Sequence, residues 1–223
     1  MKILIILTLL APVLGLSRKP VPASQYEQLT GKKLSKDKKA KWDKLYSNSK
    51  FIYGKAPSKF LSQSYQFIPF GSSVLDLGMG EGRNAVFLAQ KGYQITGVDL
   101  SNIAVKKAQL LAKEFGVKIK TIVANLQDYE FPENSFDSII CFYWVDRKML
   151  KRIHKWLKPG GVIIYEGYTL KHRAQEKEPD PVSYYLEEAE LLKLFKDYKI
   201  LKFEEANHQD EFRSSIIAIK GRK

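Results

Sequence analysis

The chain has 223 residues, of which 44% are hydrophobic and 12% aromatic, so its composition predicts a globular fold and excludes a disordered chain. Its single cysteine, Cys141, excludes an internal disulfide framework and a cysteine-based zinc site. The three histidines have no metal-ligand spacing, so no metal site is predicted.

The net charge of +13 is concentrated near the N-terminus. Residues 1–60 hold 13 lysines and arginines against 3 acidic residues, whereas residues 61–223 hold 24 against 21. A basic segment of this kind favours contact with a nucleic acid or an anionic membrane surface, or is simply a solvated lysine-rich stretch. The solvated stretch is the preferred interpretation.

The first residues form a segment of their own. Met1 and Lys2 are followed by "ILIILTLLAPVLGL", which carries no charge and is shorter than the roughly 20 apolar residues that span a bilayer. Residues 1–16 are therefore predicted to be a signal peptide, cleaved after Gly15 or Leu16, or alternatively an N-terminal hydrophobic anchor. Residues 17–40 are predicted to be a basic linker, and residues 41–223 a single domain.

From residue 74 onward, short apolar runs alternate with amphipathic stretches. This alternation predicts an α/β fold with a doubly wound, mostly parallel sheet of seven strands. The last two strands are joined by "ANHQDEFR", which is too short for a helix and predicts an antiparallel hairpin. The predicted strands are Val74–Leu77, Gln94–Val98, Lys120–Val123, Ser138–Phe142, Val162–Glu166, Lys199–Glu204 and Ser215–Lys220. The predicted helices are Asn84–Lys91, Ile103–Phe115, Arg147–Leu157 and Glu187–Lys196.

A glycine-rich loop, Gly78-Met79-Gly80-Glu81-Gly82, follows the first predicted strand. In a doubly wound sheet, such a loop lies where ligands bind, and it precedes a helix N-terminus that attracts anions. NAD, nucleoside triphosphates and S-adenosylmethionine are all held by turns of this type. Arg83 stands where the dinucleotide fingerprint needs glycine or alanine, and the P-loop string G-x-x-x-x-G-K-[ST] is absent.

The pattern that does fit is acid-x-Gly-x-Gly-x-Gly, which begins at Asp76 and closely resembles the first motif of class I S-adenosylmethionine-dependent methyltransferases. Further matches follow in the family's order: Asp99 at the end of the second strand, "Ala124-Asn125-Leu126" after the third, "FPENSFDSIICFY", and "LKPGGVIIYEGYT". The resemblance implies the Rossmann-like methyltransferase fold and S-adenosylmethionine as cofactor.

The resemblance also implies a role for each matching residue. Gly78 and Gly80 would shape the loop around the methionine part of the cofactor, and Asp76 would add negative charge near its ammonium group. Asp99 would accept hydrogen bonds from the ribose hydroxyls, because a carboxylate can take two donors at once. The adenine would contact Leu100, the Asn125 amide oxygen and the Leu126 backbone N–H, and Asn125 departs from the family's commoner aspartate. Met79 and Cys141 complete the predicted cofactor-binding set.

Two neighbouring residues leave alternatives open, since Arg83 and Asn84 could either meet the methionine carboxylate or cap the helix. The strings "W-D-x-x-Y…Y-G-x-x-P-S-x-F-L" and "G-E-G-R-N-A" resemble the small-molecule methyltransferases grouped with tellurite-resistance and thiopurine-type enzymes. This resemblance implies a thiol, a chalcogen oxyanion or an amine as methyl acceptor. The alternative is an RNA or protein methyltransferase that docks through the basic N-terminal segment.

The predicted substrate pocket comprises Tyr53, Tyr143, Trp144 and His172, with no catalytic residue assigned. We expect His172 to be a solvated loop histidine rather than a base. "CFYWVD" lacks the Asn-Pro-Pro-Tyr type of string that nucleic-acid methyltransferases often carry, so nucleic acid is not the expected partner. We expect a monomer or weak dimer, with membrane-surface association possible through residues 1–44.

The location of the chain presents a conflict. The hydrophobic segment predicts an exported or lumenal protein, yet S-adenosylmethionine is made in the cytosol and, being charged, does not cross bilayers unaided. The alternative is a membrane-anchored protein with the catalytic domain in the cytosol, since positively charged flanks stay inside.

Overall fold

The computed structural model describes residues 36–177, 179–208 and 211–222. The predicted signal peptide or anchor at residues 1–16 and most of the predicted linker lie outside the described residues. The first helix, α1, spans Lys36–Tyr46 and so begins within the predicted linker. Among the described residues, none of the helices combines the length and apolarity needed to cross a bilayer.

Seven strands form one sheet, and each predicted strand is present. The strands are β1 Ser73–Leu77, β2 Gln94–Asp99, β3 Lys120–Val123, β4 Phe136–Phe142, β5 Leu157–Tyr168, β6 Tyr198–His208 and β7 Glu211–Lys220. The remaining helices are α2 Lys59–Ser64, α3 Arg83–Gln90, α4 Asn102–Glu114, α5 Met149–Trp156, α6 Leu170–Arg173 and α7 Glu190–Leu194. Short 3-10 turns lie at Tyr65–Phe67 and Val182–Tyr184.

The sheet order is β3-β2-β1-β4-β5-β7-β6, with β1 to β5 parallel and β7 antiparallel to both of its neighbours. The chain runs outward from β1 through β2 to β3 and then returns to place β4 on the other side of β1. The order therefore reverses between β1 and β4, which is where ligands bind in folds of this type. The predicted doubly wound sheet and the antiparallel hairpin are both confirmed.

The hairpin is longer than the sequence indicates. Residues predicted as its connection belong mostly to the strands, because Ala206 pairs with Arg213 and His208 with Glu211. Strand β5 extends equally far, and Tyr168 pairs with Arg213. The pairing of β7 with β5 and β6 thus continues through polar residues, whose sequence shows no alternation of apolar and polar side chains. As a result, Arg213 lies at the carboxyl end of β5.

Both faces of the sheet are buried, as expected for parallel strands covered by helices. Leu75 and Ile139 face one side, where Trp156 and Phe195 complete the largest core cluster. Val74, Ile140 and Ile164 face the other side, where they pack with residues of α2 and α3. Residues of opposite faces alternate along each strand, so Asp76 and Glu166 lie on the same face as Val74 and Ile164.

Candidate active site

The glycine loop lies at the carboxyl end of β1, beside the point where the strand order reverses. Gly78 and Gly80 have left-handed backbone angles, with φ of +66° and +54°, which glycine adopts without the clash that a Cβ would cause. Gly82 is also left-handed, and a Cβ placed on it would lie 2.6 Å from the Cβ of Ala108. The third glycine therefore allows the loop to pack directly on α4.

Asp99, the last residue of β2, braces this loop. Its Oδ2 atom accepts a hydrogen bond from the Gly80 N–H at 2.8 Å, and its Oδ1 atom accepts one from the Ser101 N–H at 2.8 Å. The Leu100 N–H also donates to this carboxylate, which has about four acceptor positions in all. The predicted bonds from the ribose hydroxyls to Asp99 therefore stay a prediction.

Asp76 is the second buried carboxyl group of the site, only 2% exposed. Its Oδ2 atom has no hydrogen-bond partner among the described residues. Burial, followed by the nearby Asp99 charge, raises the pKa of Asp76 to about 7. Burial likewise raises the pKa of Asp99 to about 6, although the Ser101 and Gly80 N–H groups partly oppose that rise. An unpaired buried carboxyl oxygen fits the ammonium group of S-adenosylmethionine, because a bound cation would stabilise its charged form.

Helix α1 covers the glycine loop from the N-terminal side. The Tyr46 hydroxyl lies 3.0 Å from the position that a Cβ on Gly80 would take, and Tyr46 is buried. Asp43 Oδ1 accepts a 2.6 Å hydrogen bond from the hydroxyl of Ser101, which lies two residues after Asp99. The cover therefore contacts the same two residues that flank the predicted ribose site.

A second connection holds the N-terminal segment to the loop through Glu81, which is buried. Its Oε2 atom accepts from the Ile52 N–H at 2.8 Å, and its Oε1 atom pairs with Lys107 Nζ at 2.7 Å. Glu81 and Asp43 are not among the residues predicted for the site. The sequence offered one sign that Glu81 has a structural role, namely its position as an acidic residue inside the glycine loop.

The predicted adenine end lies at the carboxyl ends of β2 and β3. Leu100 is half-buried, and Leu126 is buried in the main core cluster. The Asn125 side chain accepts from the Gln127 N–H at 3.1 Å and donates to Asp128 Oδ2 at 2.6 Å. An adjacent cleft is lined by Gln127, Asp146, Lys148, Met149 and Arg152. The predicted adenine contacts therefore border an open cleft.

Two of the predicted cofactor residues turn their side chains into the core. The Met79 side chain packs against Val105 and Ala108, in space that Gly97 leaves by lacking a Cβ. Cys141 is fully buried, and its thiol donates to the Trp144 carbonyl at 3.3 Å. Burial strongly raises the pKa of this thiol. Any contact of Met79 or Cys141 with the cofactor would therefore come from the main chain.

Arg83 and Asn84 were each predicted either to meet the methionine carboxylate or to cap the helix, and the structure gives them different contacts. Asn84 Oδ1 accepts from the Ser58 N–H at 2.9 Å, so Asn84 holds the N-terminal segment, and α3 has no side-chain cap. The Arg83 guanidinium donates to the Tyr53 carbonyl at 3.1 Å and lies against the rings of Tyr53 and Tyr143. Among the described residues, no carboxylate pairs with Arg83 within 4.0 Å, so it can meet a carboxylate of a ligand.

Three of the four residues predicted for the substrate pocket, Tyr53, Tyr143 and His172, are linked through Arg83 and Tyr168. Trp144 contacts Gly78, and the Tyr143 ring centroid is 4.9 Å from that of Tyr168. Tyr53 is 52% exposed and reaches this cluster through Arg83. Arg83 therefore brings Tyr53 and Tyr143 together, whereas Trp144 lies at Gly78 and packs against the core cluster on the opposite face of the sheet.

The expectation that His172 is a solvated loop histidine is wrong. Its ring stacks on Tyr168 with centroids 4.2 Å apart, and its side chain is 15% exposed. Its Nδ1 atom is buried and has no hydrogen-bond partner among the described residues. The Leu170 N–H donates to the Leu186 carbonyl and the Leu186 N–H donates to the Tyr168 carbonyl, so the start of α6 is tied to Leu186 beside the end of β5.

Sequence reasoning missed two further residues next to this cluster, Glu166 on β5 and Arg213 on β7. Glu166 is 2% exposed, and the Arg213 guanidinium carbon lies 5.9 Å from the centre of the Tyr143 ring. A carboxylate inside the apolar run "VIIYEGY" was a signal for Glu166. Arg213 gave no signal, because it was assigned to a loop.

Comparisons with known proteins agree with this geometry. A family model described as a methyltransferase domain matches residues 74–161. A ubiquinone biosynthesis O-methyltransferase of Idiomarina loihiensis is 36% identical over 104 residues, which cover 43% of this chain and 42% of that protein. Phosphoethanolamine N-methyltransferase 2 of Caenorhabditis elegans is 32% identical over 117 residues, covering 49% of this chain and 26% of that protein. The chain thus spans less than half the length of these relatives.

Solved structures show the same fold. One from a study of the conversion of a disulfide bond into a thioacetal group during echinomycin biosynthesis matches with a TM-score of 0.68 and 20% identity, covering 82% of this chain and 92% of that one. TehB from Haemophilus influenzae matches with a TM-score of 0.61 and 19% identity, covering 82% and 67%. The [4+2]-cyclase SpnF matches with a TM-score of 0.64 and 16% identity, covering 92% and 100%. At these identities the likeness establishes the fold alone.

The sheet order and the glycine loop are those of a Rossmann-like domain, and the matched family implies S-adenosylmethionine as its cofactor. Residues 74–161 resemble the class I S-adenosylmethionine-dependent methyltransferases in sequence, and the sheet order is the one expected for that class. The finer resemblance to the tellurite-resistance and thiopurine-type branch stays a prediction.

Proposed function

We propose that this protein transfers the methyl group of S-adenosylmethionine to a small-molecule acceptor. The observation that carries the proposal is that Asp76 and Asp99 lie close together at the glycine loop, next to Arg83 and the Tyr53 and Tyr143 rings that Arg83 contacts. The carboxylates match the charged and hydroxyl-bearing parts of the cofactor. The aromatic side chains form a wall at which an acceptor can be held.

The cofactor, when bound, supplies a methyl group that its sulfonium centre already activates. The task of the protein is therefore to orient the acceptor and to exclude water. Trp144 lies against Gly78, and helix α1 covers Gly80, so side chains enclose both ends of the loop. Arg83 is free of carboxylate partners among the described residues and would bind the methionine carboxylate or an anionic group of the acceptor.

The acceptor class is part of the proposal. A thiol or a chalcogen oxyanion suits the resemblance to the small-molecule branch, and an amine is the third class considered. One relative is named an O-methyltransferase, which adds a hydroxyl group to the acceptor classes considered. Another is named an N-methyltransferase, which agrees with an amine. A screen that measures release of S-adenosylhomocysteine with thiols, chalcogen oxyanions, amines and phenols tests the proposal. Binding of S-adenosylhomocysteine without turnover of any acceptor would contradict it.

A second candidate is methylation of RNA or protein, with residues 1–60 as a basic docking arm. The uneven charge distribution favours it, since that segment carries a net charge of +10. RNA affinity that falls steeply with salt, together with methylation of the bound RNA, would support this candidate. The same measurements on a chain that lacks the lysine-rich residues 32–41 provide the control.

The site of action is also a proposal. We infer export through residues 1–16, with an uncleaved membrane anchor as the alternative, and a monomer or weak dimer in solution. N-terminal sequencing of the native protein, combined with fractionation, separates the two. A mature chain that begins near Leu16 or Ser17 would contradict the anchor, and an intact Met1 in the membrane fraction would contradict export.

A further inference from the structure

A hydrogen-bonded pair, Tyr143 and Glu166, stands next to the glycine loop without a part in cofactor binding. The Tyr143 hydroxyl donates to Glu166 Oε1 at 2.6 Å, and the Tyr143 N–H donates to the Glu166 carbonyl at 2.8 Å. Tyr143 is thus fixed to the end of β5 through both its main chain and its side chain.

The backbone of Tyr143 is unusual, with φ of +59°. Bulky residues rarely adopt this left-handed conformation, and such strain concentrates at functional sites. The conformation places the ring between Tyr168 and the Arg83 guanidinium, whose central carbon lies 5.6 Å from the ring centre. Because Arg83 follows the glycine loop, the Tyr143 ring borders the region where the acceptor would lie.

Glu166 continues the pair away from the loop. Its Oε2 atom accepts a 2.8 Å hydrogen bond from the Ser215 hydroxyl, and Arg213 Nη1 lies 3.9 Å from Oε1, beyond hydrogen-bond distance. Behind Glu166 is a small cleft that leads towards solvent, lined by Lys59, Phe60, Gln63, Glu204, Ala206, Arg213 and Ser215. The charged groups facing the pair are therefore Arg83, Arg213, Lys59 and Glu204.

We propose that Tyr143 and Glu166 form a proton relay that makes a phenolic hydroxyl the preferred methyl acceptor. This inference rests on the proposed methyl-transfer function. The acceptor oxygen bonds to the methyl carbon as the carbon–sulfur bond breaks. The acceptor proton passes to the Tyr143 oxygen while the Tyr143 proton passes to Glu166. The neutral Glu166 then loses that proton to water through the cleft behind it.

The relay gives a reason for placing a buried carboxylate, Glu166, in hydrogen-bond contact with the Tyr143 hydroxyl, which side-chain packing alone does not require. Tyr143 never becomes a free phenolate, which burial and the Glu166 charge make unfavourable, since both raise the pKa of Tyr143. The phenol oxygen that donates to Glu166 keeps lone pairs for a second donor, which an acceptor hydroxyl supplies. The Tyr168 ring beside Tyr143 and the Tyr53 ring against Arg83 suit an aromatic acceptor. A thiolate acceptor has no proton to lose and would gain nothing from the pair.

The test compares phenol with thiophenol in the wild-type protein, Tyr143→Phe and Glu166→Gln. Tyr198→Phe is the control variant, because the Tyr198 hydroxyl lies beside His154, away from the pair, and its removal should leave both rates unchanged. We expect both main variants to lose about a hundredfold or more in phenol turnover, as general acid–base residues do, and to keep thiophenol turnover within about threefold. Glu166→Asp should restore part of the phenol rate and shift its pH profile. Equal losses with both acceptors would show a structural role and overturn the relay.

A binding measurement needs no turnover. In the presence of S-adenosylhomocysteine, the wild-type protein should bind phenol several-fold more tightly than anisole, which lacks the hydroxyl proton. Tyr143→Phe should abolish this preference and leave S-adenosylhomocysteine affinity unchanged. Equal binding of phenol and anisole to the wild type would overturn the relay, whereas failure to bind S-adenosylhomocysteine would overturn the proposed function itself.

Discussion

Asp99 Oδ2 accepts a 2.8 Å hydrogen bond from the Gly80 N–H, which joins the end of β2 to the loop after β1. The same carboxylate binds the Ser101 N–H, and the Ser101 hydroxyl in turn donates to Asp43 of the covering helix. One side chain thus connects the glycine loop, the start of α4 and α1. Its proposed function in cofactor binding rests on this rigid placement.

Replacing Asp99 with Ala should weaken S-adenosylhomocysteine binding at least about tenfold, since charge-assisted hydrogen bonds contribute about 1.5–3 kcal/mol. Asp99→Asn keeps the size of the side chain and one acceptor oxygen, so its affinity should be intermediate. Isothermal titration calorimetry measures both, and circular dichroism checks folding. An unchanged dissociation constant in a folded Asp99→Ala protein would show that the ribose is held elsewhere.

Cofactor affinity should rise with pH. Burial raises the pKa of Asp76 to about 7 and that of Asp99 to about 6, so both groups are partly neutral in mildly acidic solution. S-Adenosylmethionine carries positive charge and favours their ionised forms, so its dissociation constant should fall between about pH 5 and pH 8. Asp76→Asn should flatten this dependence, and an equally steep profile in that variant would contradict the assignment.

The same two groups predict how the stability of the ligand-free protein depends on pH. Their pKa values in the folded state lie above the ordinary value of 3.8. The folded state therefore binds more protons than the unfolded state between about pH 4 and pH 7, and this contribution to stability falls as pH rises through that interval. Urea unfolding of the wild type and of Asp76→Asn across this range measures how the free energy of unfolding changes with pH. That change should be smaller in the variant. Parallel curves would exclude Asp76 as the source.

Gly82→Ala should destabilise the fold by about 2–4 kcal/mol, because the new Cβ adds overpacking to left-handed strain. That Cβ would lie 2.6 Å from the Ala108 Cβ. Gly54→Ala is the matched control, since Gly54 is also left-handed but a Cβ there meets nothing within 4 Å. Its cost should be limited to the strain, about 1–2 kcal/mol. Similar losses in the two variants, measured by urea unfolding, would contradict the packing argument.

Tyr46→Ala should speed the release of S-adenosylhomocysteine at least about threefold, because it removes the ring that covers Gly80, and changes at a binding site act mainly on dissociation. Tyr46→Phe keeps the ring and should release the ligand at close to the wild-type rate. Stopped-flow displacement measures these rates. Equal rates in Tyr46→Ala and the wild type would show that α1 leaves the site when the cofactor binds.

The fold and the class could be predicted because their signals are local. Strands such as β4 are buried on both faces and read as continuous apolar runs, and the spacing of Asp76, Gly78 and Gly80 lies within one short loop. The register between these elements follows from the order of the parallel strands. No long-range information was needed to identify this part of the site.

The acceptor side could not be predicted in the same way. The contact of Tyr143 with Glu166 joins residues 23 positions apart, and the approach of Arg213 depends on the extended pairing of β7 with β5. The ends of the two hairpin strands consist of polar residues, so the sequence pattern indicated a loop there. His172 was expected in solvent because its loop sequence is polar, whereas stacking on Tyr168 buries most of its ring. Side-chain placement between distant elements therefore limits what the sequence predicts here.

The most direct test of the account is calorimetric titration of the whole chain with S-adenosylmethionine and S-adenosylhomocysteine, with NAD as the comparison ligand. Both sulfur compounds should bind in the micromolar range, about −7 to −8 kcal/mol, and NAD should give no heat. No heat with either sulfur compound, together with binding of NAD, would contradict the account.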